Sequence, residues 1–261
     1  MTALYPGAWT QILDLVLVFL RLLGLFLLVP VFSHASIPVT IRLLTALALS
    51  LAVYPLVHPF LGAVPTTLTG LVGGALRESV VGLLMGFIAY LTFEAIELAA
   101  QFVGYQMGLG AAGLMDPQNH AQVSVIVPLH TWLALMIFLV ANFHHEFIRL
   151  FVVSFEITQR SQFQSWDGPG MLNAFFTVTA KLFIVAVQMA APFTLLILGM
   201  NIALGLFARL LPQINMLLFS FSLTVFLGFS GLYVVAPDLL HYIEGLLGEM
   251  SNDVISVLRV L

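Results

Sequence analysis

The sequence predicts an all-α membrane protein: about six long apolar helices interrupted by glycine and proline, plus a C-terminal amphipathic helix, built for a helical multi-subunit assembly. Three observations carry this. Of the 261 residues, 61% are hydrophobic and only 8% charged, against roughly 45–50% and 25% in soluble domains, so the charges are too few to cover a water-facing surface. Apolar runs of about 20 residues, the length that crosses a bilayer core, recur along the chain. Glycine and proline punctuate those runs, and irregular backbone at membrane depth needs protein or a water-filled cavity beside it.

The candidate spans are residues 9–32, 39–57, 80–102 and 123–141, then an interrupted pair at 174–191 and 193–211, and finally 214–236. Pro30, Pro38, Pro55, Pro59 and Pro65 bound the first segments, since proline lacks a backbone donor and clashes with the turn before it. Pro192 stands directly between Ala191 and Phe193 with no polar loop, so that pair is one bent helix or a tight hairpin. The polar stretch 158–170, with Gln159, Arg160, Gln162, Gln164, Trp166 and Asp167, marks a boundary between a front half, 1–165, and a back half, 166–261. After Pro237, apolar residues recur at helical spacing at Leu239, Leu240, Ile243, Leu246, Leu247, Met250, Val254, Leu258 and Leu261. The polar face there carries Glu244, Glu249 and Asp253 against Arg259 alone. An acidic face suits anionic lipid poorly, so this helix is expected to pack on protein.

Composition also excludes function classes. A net charge of −4 with basic residues scattered singly argues against nucleic-acid binding. Without cysteine there are no disulfides and no thiolate metal sites. The N-terminus lacks the positive n-region and small-residue cleavage pattern of a signal peptide. The arginines are spread too evenly over the connecting segments to orient the chain.

Catalytic motifs fail on context. Gly108-Leu-Gly110-Ala-Ala-Gly113 spells the dinucleotide fingerprint, yet an apolar helical run precedes it, Asp116-Pro117 follows, and no acid lies near Trp132 and Leu133. The single lysine, Lys181, sits between Ala180 and Leu182, which excludes a P-loop. His145-Glu146-Phe-Ile-Arg149 lacks the second imidazole of a zinc protease. His144 and His145 are adjacent and diverge by about 100° on a helix. No catalytic, cofactor-binding or metal residue is assigned, and no enzyme is expected.

Charge sits instead inside the apolar runs. Arg21, Lys181, Glu94 and Glu97 all lie within them, where each costs at least about 2.5–3.5 kcal/mol at the hydrocarbon centre. Glu94, Glu97 and Gln101 share one helix face. They form either a proton or ion relay or a polar seam against a partner subunit that supplies the base; the scarcity of basic residues favours the seam. Gly70-Leu-Val-Gly-Gly74 and Gly82-Leu-Leu-Met-Gly86 are GxxxG patterns that let helix backbones approach. Interior charges, prolines and weak loop bias together suggest that several segments do not cross a bilayer conventionally.

The segment 104–120, with four glycines and two methionines, suits a deformable apolar plug: glycine frees the backbone, methionine fills irregular gaps, and an apolar constriction excludes water. An interrupted small-residue packing segment has the same composition.

Gln106-Met-Gly-Leu109, Met115-Asp-Pro117, and Asn201-Ile-Ala-Leu-Gly-Leu206 followed by Arg209 and Pro212-Gln213 resemble the signature stretches of the FliR family. These are flagellar type III export-gate subunits, related to the SctT subunits of virulence type III secretion systems. Trp9 and the Arg21 of Phe-Leu-Arg-Leu-Leu-Gly24 resemble the family's start. The resemblance implies a non-enzymatic, cofactor-free subunit in the bacterial inner membrane and flagellar basal body. It would stand beside FliP-like and FliQ-like subunits, with further FlhB- and FlhA-type partners, and pass unfolded export substrates. Residues 1–165 would be FliP-like and 166–261 FliQ-like. The loop at 110–122 would project into the channel through Gly110, Gly113, Leu114, Met115, Asp116 and Pro117. The family often carries bulkier residues at Ala111-Ala112-Gly113, so closure shifts onto Leu114 and Met115. Arg21, Glu94, Glu97, Gln101, Lys181, Asn201 and Arg209 would make buried polar or subunit contacts. The rivals are a secondary transporter with Glu94 and Glu97 as its coupling-ion site, and a virulence-system export subunit.

Overall fold

The computed structural model describes residues 6–34, 36–62, 67–109, 125–160, 168–210 and 216–260, and among these every regular element is helical. In chain order they are α1 (Pro6–Leu28), α2 (Pro30–Ser33), α3 (Val39–Val57), a single 3₁₀ turn (His58–Phe60), α4 (Leu68–Gln106), α5 (Ile126–Val140), α6 (Phe143–Arg160), α7 (Gly168–Leu210) and α8 (Met216–Leu258). Five helices are long and apolar enough to cross a membrane, or six when α5 and the following Phe143–Thr158 are taken as one broken span.

The prolines act according to position. Pro30 opens α2 at its first residue and Pro38 precedes α3, places where a missing N–H removes no helical bond. Pro192 and Pro237 lie inside continuous helices of 43 residues each. The pair at 174–191 and 193–211 is therefore a single helix and not a hairpin, and the amphipathic tail is the last part of α8. An interior proline costs about 3 kcal/mol, but the loss is local, and buried side chains flank both sites: Met189, Ala190 and Phe193 at one, Leu232, Leu239 and Ile243 at the other. The tail packs on protein as its acidic face implied. Ile243, Leu247, Met250, Val254 and Leu258 are buried, Glu244 and Glu249 are exposed, and so is Leu240.

Two boundaries differ from the sequence pattern. α4 begins at Leu68, well before residue 80, because Thr67 accepts from the Gly70 N–H through Oγ1 and opens the helix there. α6 is a distinct amphipathic helix for which the sequence pattern, ending the fourth span at residue 141, gave no element. Asn142 at φ 60° makes the break; asparagine tolerates the left-handed conformation, which ends a helix.

The chain divides into two compact units: Met1–Leu91, Asn142–Val178 and Gly248–Leu261 in the first, Thr92–Ala141 and Thr179–Leu247 in the second. In the first unit α1 crosses α4 with the two backbones touching. A Cβ on Gly82 would overlap the Arg21 carbonyl, one on Gly86 would stand 2.8 Å from the Leu25 oxygen, and one on Gly24 would stand 2.9 Å from the Ser79 oxygen. The Gly82–Gly86 pattern is thus used within the chain. Gly73 has open space around it, and a Cβ on Gly74 would meet only Leu17, at 3.7 Å. In the second unit Phe93 and Phe138 pack ring on ring at 5.9 Å.

This crossing separates two glycines of one helix. Gly82→Ala is expected to destabilise the purified chain by about 1–3 kcal/mol, because a backbone carbonyl cannot swing aside. Gly73→Ala should leave stability unchanged or raise it by up to about 1 kcal/mol through helix propensity. Thermal unfolding in detergent compares them, and equal effects would contradict the crossing.

Candidate functional site: a buried arginine and the base of the glycine–methionine loop

The first unit encloses Arg21, 1% exposed although it lies mid-helix in an apolar run. Its guanidinium is satisfied from two helices. Nε donates to the Glu78 carboxylate on α4, which also forms the ion pair. Nη1 donates to Ser154 Oγ at 2.9 Å and Nη2 to Thr158 Oγ1 at 3.1 Å, both on α6. The Phe155 ring lies 3.7 Å from Cζ and closes the remaining face as a cation–π contact. The hydroxyls can accept because their own protons are spent on α6: Ser154 donates to the Phe151 carbonyl at 2.6 Å and Thr158 to the Ser154 carbonyl at 2.9 Å. Arg77, next to Glu78, donates from Nη2 to the Thr158 carbonyl near the end of α6, where a cation suits the helix C-terminus.

Glu78, Ser154 and Thr158 were not singled out in the sequence. The available signal was Arg21 itself, which requires a carboxylate, and the Ser154–Thr158 pair at i, i+4 on the buried face of α6. Asp14, 9% exposed on α1, is a further buried charge that the pattern did not flag.

The second unit holds the point where α4 leads into the glycine–methionine segment. Gln106 Nε2 donates to Thr194 Oγ1 on α7 at 2.8 Å. Thr224 Oγ1 on α8 lies 3.2 Å from the Met107 carbonyl and donates to it or to its own helix. Met107 is fully buried, its thioether pressed on Gly228, where a Cβ would overlap it. Gly108 follows at φ 77° against the Phe221 ring, a conformation that side chains resist. Gln106, Met107 and Gly108 of the loop signature are therefore held by two helices, α7 and α8.

Glu94, Glu97 and Gln101 are each half-buried on α4, and none is hydrogen-bonded or ion-paired to another described residue. Lys181 is half-buried and engaged within the chain. Asn201 and Arg209 are exposed on α7. Gly110, Gly113, Leu114, Met115, Asp116 and Pro117 lie outside the described residues. His144 and His145, in the first turn of α6, touch through their rings at 4.2 Å.

The sequence profile of bacterial export proteins, family 1, matches residues 12–250. The chain belongs to this family. Its relatives include the flagellar biosynthetic protein FliR of Escherichia coli (strain K12), 30% identical over 93% of this chain and 92% of its own length. FliR of Bacillus subtilis (strain 168) is 30% identical over 84% of each chain. The Yop proteins translocation protein T of Yersinia pestis is 28% identical over 75% of each. The FliR resemblance carried by short motifs thus extends along most of the chain. The matched range contains both the Arg21 cluster and the residues that hold the start of the loop.

Removing one partner of a buried ion pair costs about 3–5 kcal/mol, whereas replacing both with apolar groups is often neutral. Arg21→Met should therefore destabilise by that amount, and Arg21→Met with Glu78→Leu should recover most of it. Thermal unfolding of these two variants and of Glu78→Leu alone completes the cycle; additive losses would show that Arg21 and Glu78 do not interact.

Proposed function

We propose that this chain is a non-enzymatic subunit of the flagellar type III protein export gate in the bacterial inner membrane and flagellar basal body, where it helps to form and close the channel for unfolded flagellar proteins. The observation that carries this reading is the held entry to the loop. Gln106, Met107 and Gly108 are fixed by Thr194, Thr224 and Gly228, and glycines follow at 110 and 113. A rigid base leading into a pliant glycine–methionine stretch is what a deformable apolar seal requires. Leu114 and Met115 supply the seal, and Asp116-Pro117 sets the turn after them.

Residues 1–165 play the FliP-like part and 166–261 the FliQ-like part, beside separate FliP- and FliQ-type subunits and FlhB- and FlhA-type components. Family membership supports the export role, and FliR relatives at 30% identity over most of the chain favour a flagellar system over a virulence one. Glu94, Glu97, Gln101, Asn201 and Arg209 meet those neighbours: charge and amide groups on apolar helices at half-buried or exposed positions need polar partners from outside the chain.

Two measurements test the reading. The tagged chain should co-purify with two smaller membrane proteins and, alone in proteoliposomes, take up no solute; uptake abolished by Glu97→Gln would establish the transporter instead. Changing Leu114 and Met115 together to Gly should raise the ion leak of cells several-fold while assembly and export persist, since a dewetted constriction blocks ions through its apolar side chains. Lost assembly with an unchanged leak would make the segment a packing element.

A further inference from the structure

Between α1, α3 and α6, all within the first unit, lies a cavity of about 430 Å³, within the range of ligand pockets. Its walls are hydrocarbon, with Leu25 and Phe26 from α1, Leu49 and Ala52 from α3, and Phe147 and Phe151 from α6. Two polar atoms buried without a hydrogen-bond partner among the described residues accompany it: Arg42 Nε and His144 Nδ1.

His144 lines the cavity, and Arg42 lies one helical turn before the lining residue Thr45, toward the same end. The short α1–α3 connection puts the start of α3, and so Arg42, beside the end of α1. Arg21 bonds Ser154 and Thr158, whereas Leu25 and Phe26 share the cavity with Phe147 and His144. α6 therefore runs antiparallel to α1, and its start also lies beside the end of α1. Arg42 continues the cavity stripe of Thr45, Leu49 and Ala52 toward that end. The charge there is basic: Glu146, the acid in the first turn of α6, is exposed and faces Arg149 at 3.9 Å.

We infer that this cavity takes the acyl chain of an anionic phospholipid, with the lipid phosphate against Arg42 and His144. α1 and α3 are span-length apolar helices, and Leu43, Leu44, Leu47 and Leu51 expose α3 beside the cavity, so lipid reaches it directly. Arg42 stands in the first turn of α3, the depth at which headgroups lie and basic side chains anchor. A guanidinium holds phosphate oxygens by charge-assisted bonds. His144 in its Nδ1–H tautomer donates to a phosphate or ester oxygen. A zwitterionic headgroup brings a cation to the same basic end, which favours the anionic lipid.

The test is native mass spectrometry of the full chain purified with its complex, after exchange into dioleoyl phosphatidylglycerol, dioleoyl phosphatidylcholine, or glycerol phosphate without a lipid tail. Retention of phosphatidylglycerol should exceed that of phosphatidylcholine by about five-fold, the contribution of one basic residue against an anionic lipid, and glycerol phosphate should not be retained. Arg42→Gln should equalise the two lipids, and Ala52→Phe, which fills the cavity, should abolish retention of both. Leu49→Trp serves where Ala52→Phe does not fold, and the wild-type comparison needs neither. Equal retention of both lipids by the wild-type chain, retention unaffected by filling, or a photo-crosslinker at residue 49 capturing a protein subunit instead of lipid would each overturn the assignment.

Discussion

A guanidinium removed from water must keep its charge partners, and that requirement organises the first unit. Arg21 takes Glu78 from α4 and two hydroxyls and an aromatic face from α6, three stretches far apart in sequence. The ion pair depends on the glycines around it. Gly24, Gly82 and Gly86 bring the α1 and α4 backbones together, and Glu78, one turn before Gly82, is thereby carried to Arg21. The same approach holds Gly82 at the Arg21 carbonyl, so the arginine contributes both backbone and side chain to one crossing. Buried pairs of this kind add little net stability compared with hydrocarbon, but they penalise any arrangement that separates them.

The second unit uses milder chemistry. A threonine on α8 meets the Met107 carbonyl, a threonine on α7 accepts from Gln106, and glycine on α8 receives the Met107 thioether. These neutral interactions converge on the last turn of α4, where helical hydrogen bonding ends and backbone carbonyls need other partners. α4 thus takes part in both units, through a charged pair near one end and threonine hydroxyls at the other. In a family of export proteins, this allows a long helix to be firmly placed while the chain that follows stays rich in glycine.

Much of this was legible in the residues. Fold class followed from hydrocarbon content, and the capacity of α4 for close approach from the Gly82–Gly86 spacing, though not that α1 is the helix it meets. The difficulty of Arg21 followed from its apolar neighbours, and the protein-packed tail from its acidic face. The family was legible from the order of several short motifs, each weak alone. Other features were not. Pro237 read as the end of a span, and Pro192 left a bent helix and a hairpin both open, because local cost is all that sequence pattern records, whereas the apolar faces on both sides of each proline hold the helix through it. The start of α6 turned on one left-handed asparagine, which hydropathy does not register.

By itself, then, the sequence determined that the long apolar segments are helical, that Arg21 must find a partner, and which glycines permit close approach, because those follow from side-chain chemistry and local backbone preference. Only the tertiary structure decided who the partners are. Arg21 is answered by Glu78, Ser154 and Thr158, and Gly82 and Gly86 lie against the backbone of α1, whereas Gly74 meets only a leucine side chain. Pairing across 57 to 137 residues of chain depends on how helices cross, and crossing is set by all their packing together.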